Sequence, residues 1–105
     1  MGRFIVEIRN PNDDADRRLL VWSTFGDAPI TYGMSSAAFA EYTRIEDGEQ
    51  GLRELPERMA RVREKGTSSH VHASWLDVIE CNRAGPNETD LSPAEIWAAY
   101  ADPPA

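Results

Sequence analysis

The stretch Arg17–Phe25 constrains the fold more than any other part of the chain. Leu19, Val21 and Phe25 alternate there with Leu20 and Trp22, so a strand through these residues is apolar on both faces. A strand of that kind belongs in the middle of a sheet, not at a solvated edge. Upstream, Arg3–Arg9 places Phe4, Val6 and Ile8 on one face and Arg3, Glu7 and Arg9 mostly on the other, which predicts a neighbouring strand with one face buried. The residues between, Asn10–Asp16, are dense in turn formers. Together they predict an antiparallel hairpin with a loop longer than the tightest type. Gly26-Asp27-Ala28-Pro29 turns the chain again, and Ile30–Tyr32 is expected to add a short third strand.

Helix starts follow in similar chemistry. Ser35 is a cap flanked by Met34 and Phe39 at the spacing of a hydrophobic staple. Ser74 has Asp77 three residues on, an imperfect capping box, and Ser92 has Pro93 at the first helical position with Glu95 completing the box. The first of these helices sets Ala38, Phe39, Tyr42 and Ile45 on one face and frays toward Gly48. A further helix is marked by Leu52, Leu55, Met59 and Val62, with Pro56 at its regular start and Gly66 as its left-handed end. The helix after Ser74 buries Trp75, Val78 and Ile79 and stops at Gly85-Pro86. The last presents Ile96, Trp97 and Tyr100 before Pro103-Pro104. The expected architecture is α+β, with an N-terminal antiparallel hairpin or three-stranded sheet followed by about four short helices packed on one face. With 105 residues, the chain 1–105 fits a single domain.

The single Cys81 cannot form an internal disulfide, no signal-like apolar stretch follows the start, and no apolar run approaches the ~18 residues of a membrane span. The Met-Gly start carries Val6 where a myristoylation signal needs a hydroxyl residue. The expected location is cytoplasmic, without membrane attachment. The net charge of −7 argues against binding nucleic acid or an anionic membrane. Its distribution matters more. Residues 51–83 hold six cations against five carboxylates, whereas 1–50 and 84–105 are each four charges negative, so the middle third is where an anion would be received. Ten of the eleven cations are Arg, the signature of a GC-rich coding genome.

The polar connector Lys65–His72 holds both histidines, three hydroxyls, a glycine and the only lysine. His70 and His72 would share one side of an extended segment, a spacing that can chelate a divalent metal if Asp77, Glu80 or Cys81 completes the set. Arg58, Arg61 and Lys65 form a stripe at i, i+3 and i+7, which with Thr67, Ser68 and the neighbouring amides could receive a phosphate or carboxylate. Ser68 or Ser69 beside a histidine suggests a nucleophile, but adjacent residues of an extended segment point apart and no orienting carboxylate is identifiable. Asn12, Asp14 and Asp16 imitate the start of a calcium loop. Arg17 and Ser23 stand where that loop needs its glycine and its bidentate glutamate.

No catalytic set is complete, and no cofactor fingerprint is present. The function expected on that basis is a small cytoplasmic protein-interaction or regulatory module without catalysis, of the kind a virus of a GC-rich bacterium carries as an accessory protein. Its partner would be another protein or a second copy of the chain, with Trp97 and Tyr100 as candidate contact residues. The alternatives are a metal- or anion-binding enzyme centred on His70 and His72, and an acidic mimic of nucleic acid.

Overall fold

The structure, a computed structural model, describes residues 3–24, 28–81 and 91–103, the side chain of Cys81 excepted. The expected turn at Gly26-Asp27, the stop at Gly85-Pro86 and Pro104 lie outside these residues, as does Phe25.

Strand β1 (Arg3–Asn10) pairs antiparallel with β2 (Asp13–Ser23), and β3 (Ala28–Pro29) joins the far side of β2, giving the order β1-β2-β3. The strand with two apolar faces is the central one. The hairpin is tighter than its composition suggests, because only Pro11 and Asn12 lie between the strands and the register slips between Arg9 and Asn10. Asp13–Asp16 continues β2 instead of looping out, since arginines meet its carboxylates. Arg17 Nη2 lies 3.1 Å and Arg9 Nη1 3.7 Å from Asp14, and Arg18 pairs with Asp16.

The third strand is Ala28–Pro29, not Ile30–Tyr32. The Ile30 N–H still donates to Val21 O (2.9 Å), but the Val21 N–H is taken by the Thr31 hydroxyl (3.0 Å), so a side chain replaces the next rung of the ladder. The chain returns at Met34, which exchanges two backbone bonds with Leu19.

Among the described residues three helices follow, one of them long, and not about four short ones: α1 (Ser36–Lys65), α2 (Trp75–Cys81) and α3 (Pro93–Tyr100). The helical stretches expected on either side of Gly48 both form and follow one another as α1, with a kink at that residue, where φ 66° and ψ −155° depart from helical geometry. Pro56 sits inside α1, not at a start. All three serine caps form. Ser35 Oγ accepts from Ala38 N–H, Ser74 Oγ from Asp77 N–H, and Ser92 with Glu95 makes the full reciprocal box.

Gly48 occupies a region of backbone space open almost only to glycine, yet a Cβ there would meet nothing within 4 Å. Gly48→Ala is therefore expected to cost about 2 kcal/mol of purely conformational origin. Urea denaturation would read this as a lower midpoint with an unchanged slope.

The helices cover both faces of the sheet rather than one. On one side Val6, Ile8, Leu20 and Trp22 pack with Trp75, Val78 and Ile79 of α2 and Ile96 of α3. On the other, Ile5, Leu19 and Val21 pack with Phe39 and Val62 of α1. The double-sided apolar pattern of β2 demands this cover, and Ile5 extends the demand to β1. Ile45 does not join Phe39 and Tyr42 in the core but is 66% exposed. Each three-residue step falls about 60° short of a full turn, so by Ile45 the side chain has rotated off the face and Thr43 is buried instead.

Candidate functional site

The connector after α1 is the polar segment from which a chemical site was expected, and its hydroxyls are turned inward. Gly66 caps α1 in the left-handed conformation (φ 82°), with its N–H on Val62 O. The chain then runs alongside the outer edge of β1. Glu7 N–H donates to Gly66 O (2.9 Å) and Ser68 N–H to Ile5 O (3.0 Å), forming an antiparallel bridge of Thr67 with Val6. The side chains complete what the short bridge cannot. Thr67 Oγ1 donates to Ile5 O (2.7 Å), and Ser68 Oγ accepts from Ile5 N–H (2.8 Å). Thr67, Ser68 and Ser69 are all buried.

Beyond Ser69 the segment turns rather than extending. Ser69 Oγ accepts from the N–H groups of Val71 and His72 (3.3 Å each) and lies 2.7 Å from His72 Nδ1. The donor in that last contact follows the imidazole tautomer, and the hydroxyl and ring nitrogen hold each other across the turn in either case. The imidazole also lies against Phe4, ring centroids 5.3 Å apart. Serine and histidine thus meet, but as Ser69 with His72 across a turn, with the serine 5% exposed. His70 is exposed. Among the described residues no three His, Cys, Asp or Glu side chains gather closely enough to hold a metal.

The basic stripe is divided between two tasks. Lys65 Nζ donates to His72 O (2.8 Å) and Arg61 Nε to Ser68 O (2.9 Å), so these two cations clamp the connector. Arg58, one turn earlier, faces the sheet instead. It lines a cleft of about 140 Å³ with Arg3 at the start of β1, Val21 and Phe39 at its floor, and Tyr42, Thr43, Glu46 and Asp47 from α1. Burial pushes the Arg58 guanidinium below its ordinary value, opposed by the nearby charge of Asp47, and burial likewise raises the Tyr42 phenol. Sequence reasoning found Arg58 but not Arg3 or Tyr42, because nothing local connects residues so far apart in the chain.

A broader concavity of about 330 Å³ lies beside the hairpin tip, lined by residues 9–14 together with Trp75, Pro93 and Ala94. Arg9 stacks over Trp75 (5.4 Å) and reaches Asp14, so its charge is matched locally. The acidic turn is similarly occupied by its own neighbours, with Asn10 Nδ2 donating to Asp16 (3.1 Å) and Ala15 N–H to Asp13 (3.1 Å).

Trp97 and Tyr100 pack at the margin of the core, and the fold brings further groups to them. Gly33 N–H donates to Tyr100 O (2.7 Å), the Tyr32 and Tyr100 rings lie 6.2 Å apart, and the Arg18 guanidinium sits over Trp97 at 5.3 Å. A Cβ on Gly33 would fall 2.4 Å from Ala101 O, which is how the end of α3 can approach so closely. Tyr32 is 41% exposed, and Ile30, set opposite Val21 by its backbone bond, is 47% exposed.

Among the described residues, no helix is long and apolar enough to cross a membrane. Comparison with protein-family models, curated proteins and solved structures finds no match for this chain.

Proposed function

We propose that the chain is a small non-catalytic interaction module, that its partner surface is the face formed by Tyr32, Tyr100 and Trp97, and that its partner is a second copy of itself. The observation that carries the reading is the convergence of Tyr32, Tyr100, Trp97 and Arg18 around Gly33 at the edge of the sheet. Tyr, Trp and Arg are the residues that dominate binding energy at protein interfaces. Charge favours this face for self-association. A net charge of −7 repels a second copy wherever carboxylates are exposed. Here Arg18 offsets one of the two carboxylates it touches, Asp16 and Asp102 (3.6 Å), so two copies meeting at this face repel each other less than where carboxylates stand without a cation.

Sedimentation velocity across a range of protein concentrations tests the reading. A dimer is expected, and Tyr32→Ser is expected to raise its dissociation constant by about tenfold or more. Ile45→Ser, on the exposed side of α1, should leave it unchanged. A monomer at every concentration would overturn the proposal, and so would equal weakening by the two substitutions.

A further inference from the structure

Arg58 is half-buried and makes no hydrogen bond or ion pair with any described residue, having only the longer-range fields of Asp47 and Glu54 to offset its burial. Its nitrogens still reach water, so the cost of this burial is partial, and an anion seated on the guanidinium would offset it. Arg3 faces the same cleft from β1, also without an ion pair among the described residues, and its charge acts on the Tyr42 phenol. Two guanidiniums across one cleft are suited to hold a carboxylate between them.

A simple anion would be poorly served, because Glu46 and Asp47 line the same space. The walls therefore carry two positive and two negative groups over an apolar floor of Val21 and Phe39. A ligand matched to that pattern bears both a carboxylate and an ammonium. The volume of about 140 Å³ is well below that of sites for drug-sized molecules and suits a compound of amino-acid size. We propose that the cleft between the start of β1 and α1 binds a small α-amino-acid zwitterion, its carboxylate on Arg3 and Arg58 and its ammonium toward Glu46 and Asp47. The Tyr42 hydroxyl supplies a further donor at the rim.

The charged groups of this site lie on α1 and the start of β1, and none of them belongs to the face proposed for self-association, although Val21 of the floor bonds Ile30 beside β3. The experiment is an NMR titration of the full chain, following the Nε–H resonance of Arg58 and the backbone amides of Arg3 and Tyr42. L-Alanine is the probe, with N-acetyl-L-alanine (no ammonium) and L-alaninamide (no carboxylate) as its two controls. L-Alanine should shift these resonances saturably, and each control should bind about tenfold more weakly or worse, the loss of one charge-assisted contact. Arg3→Gln and Arg58→Met should each weaken L-alanine by about the same factor, while Arg53→Gln on the outer surface of α1 should not. Arg3 is exposed, so its substitution leaves the fold intact and keeps the test decisive if Arg58→Met misfolds. Arg58→Met is itself expected to melt no lower than the parent, because an alkyl chain replaces a charge without a partner. The proposal is overturned by an absence of saturable shifts, by N-acetyl-L-alanine binding as tightly as L-alanine, or by affinity that survives Arg3→Gln.

Discussion

Replacing Gly66 with alanine should lower the unfolding free energy by about 3 kcal/mol, from two sources that add at one atom. The backbone there has φ 82°, where an L side chain costs about 1 kcal/mol or more. The new methyl would also lie 2.6 Å from Trp75 Cδ1 and 2.9 Å from Trp75 Cβ. The second contact is decisive, because Cβ is fixed to the backbone of α2 and cannot rotate aside. Trp75 would have to move, and with it the helix that covers one face of β1. Equilibrium denaturation measures the total. Gly66→Asn separates the parts, because asparagine tolerates the left-handed region while still carrying a Cβ. Recovery of only the conformational share, about 1 kcal/mol, is the expected result. Full recovery would mean that Trp75 yields without cost.

The features legible in the sequence are those written within a few residues of one another. Ser35, Ser74 and Ser92 each cap a helix because the hydroxyl and the N–H it receives lie three residues apart. Gly66 ends α1 because only the local backbone decides its conformation. The central place of β2 follows from a run of consecutive apolar residues. The number of helices turns on Gly48, where one non-helical residue kinks α1 between two helical stretches. The two-sided cover was implied by Leu19, Val21, Leu20 and Trp22 together, yet which helix covers which face depends on the path of the whole chain.

The connector was the hardest part to read. Gly66-Thr67-Ser68-Ser69 has no apolar alternation, so its polarity suggested an accessible site. The Thr67 and Ser68 hydroxyls satisfy a strand more than sixty residues earlier, and that pairing leaves no local mark. The same distance hid the cleft, since Arg3 and Arg58 belong to elements that meet only in the folded chain.

The double substitution Thr67→Val with Ser68→Ala is expected to cost about 3 kcal/mol, although both replaced groups are small and neither fills much of the core. Ile5 is fully buried, and its N–H points away from β2 toward the connector, where Ser68 Oγ receives it at 2.8 Å. Without that hydroxyl the donor has no partner, and an orphaned buried donor costs about 1–3 kcal/mol. Ile5 O is better protected, since Ser68 N–H continues to reach it after Thr67 Oγ1 is gone. The loss at Thr67 falls instead on Ser69 N–H, which donates to the same oxygen at 3.2 Å. The two penalties arise at different atoms, so each single variant should show about half the total. Hydrogen exchange gives the sharper reading. Ser68→Ala should speed exchange at the Ile5 amide while leaving Glu7, whose N–H is held by a backbone carbonyl, comparatively protected. Equal protection at Ile5 in the parent and in Ser68→Ala would show that this hydroxyl is not what seals the outer edge of β1.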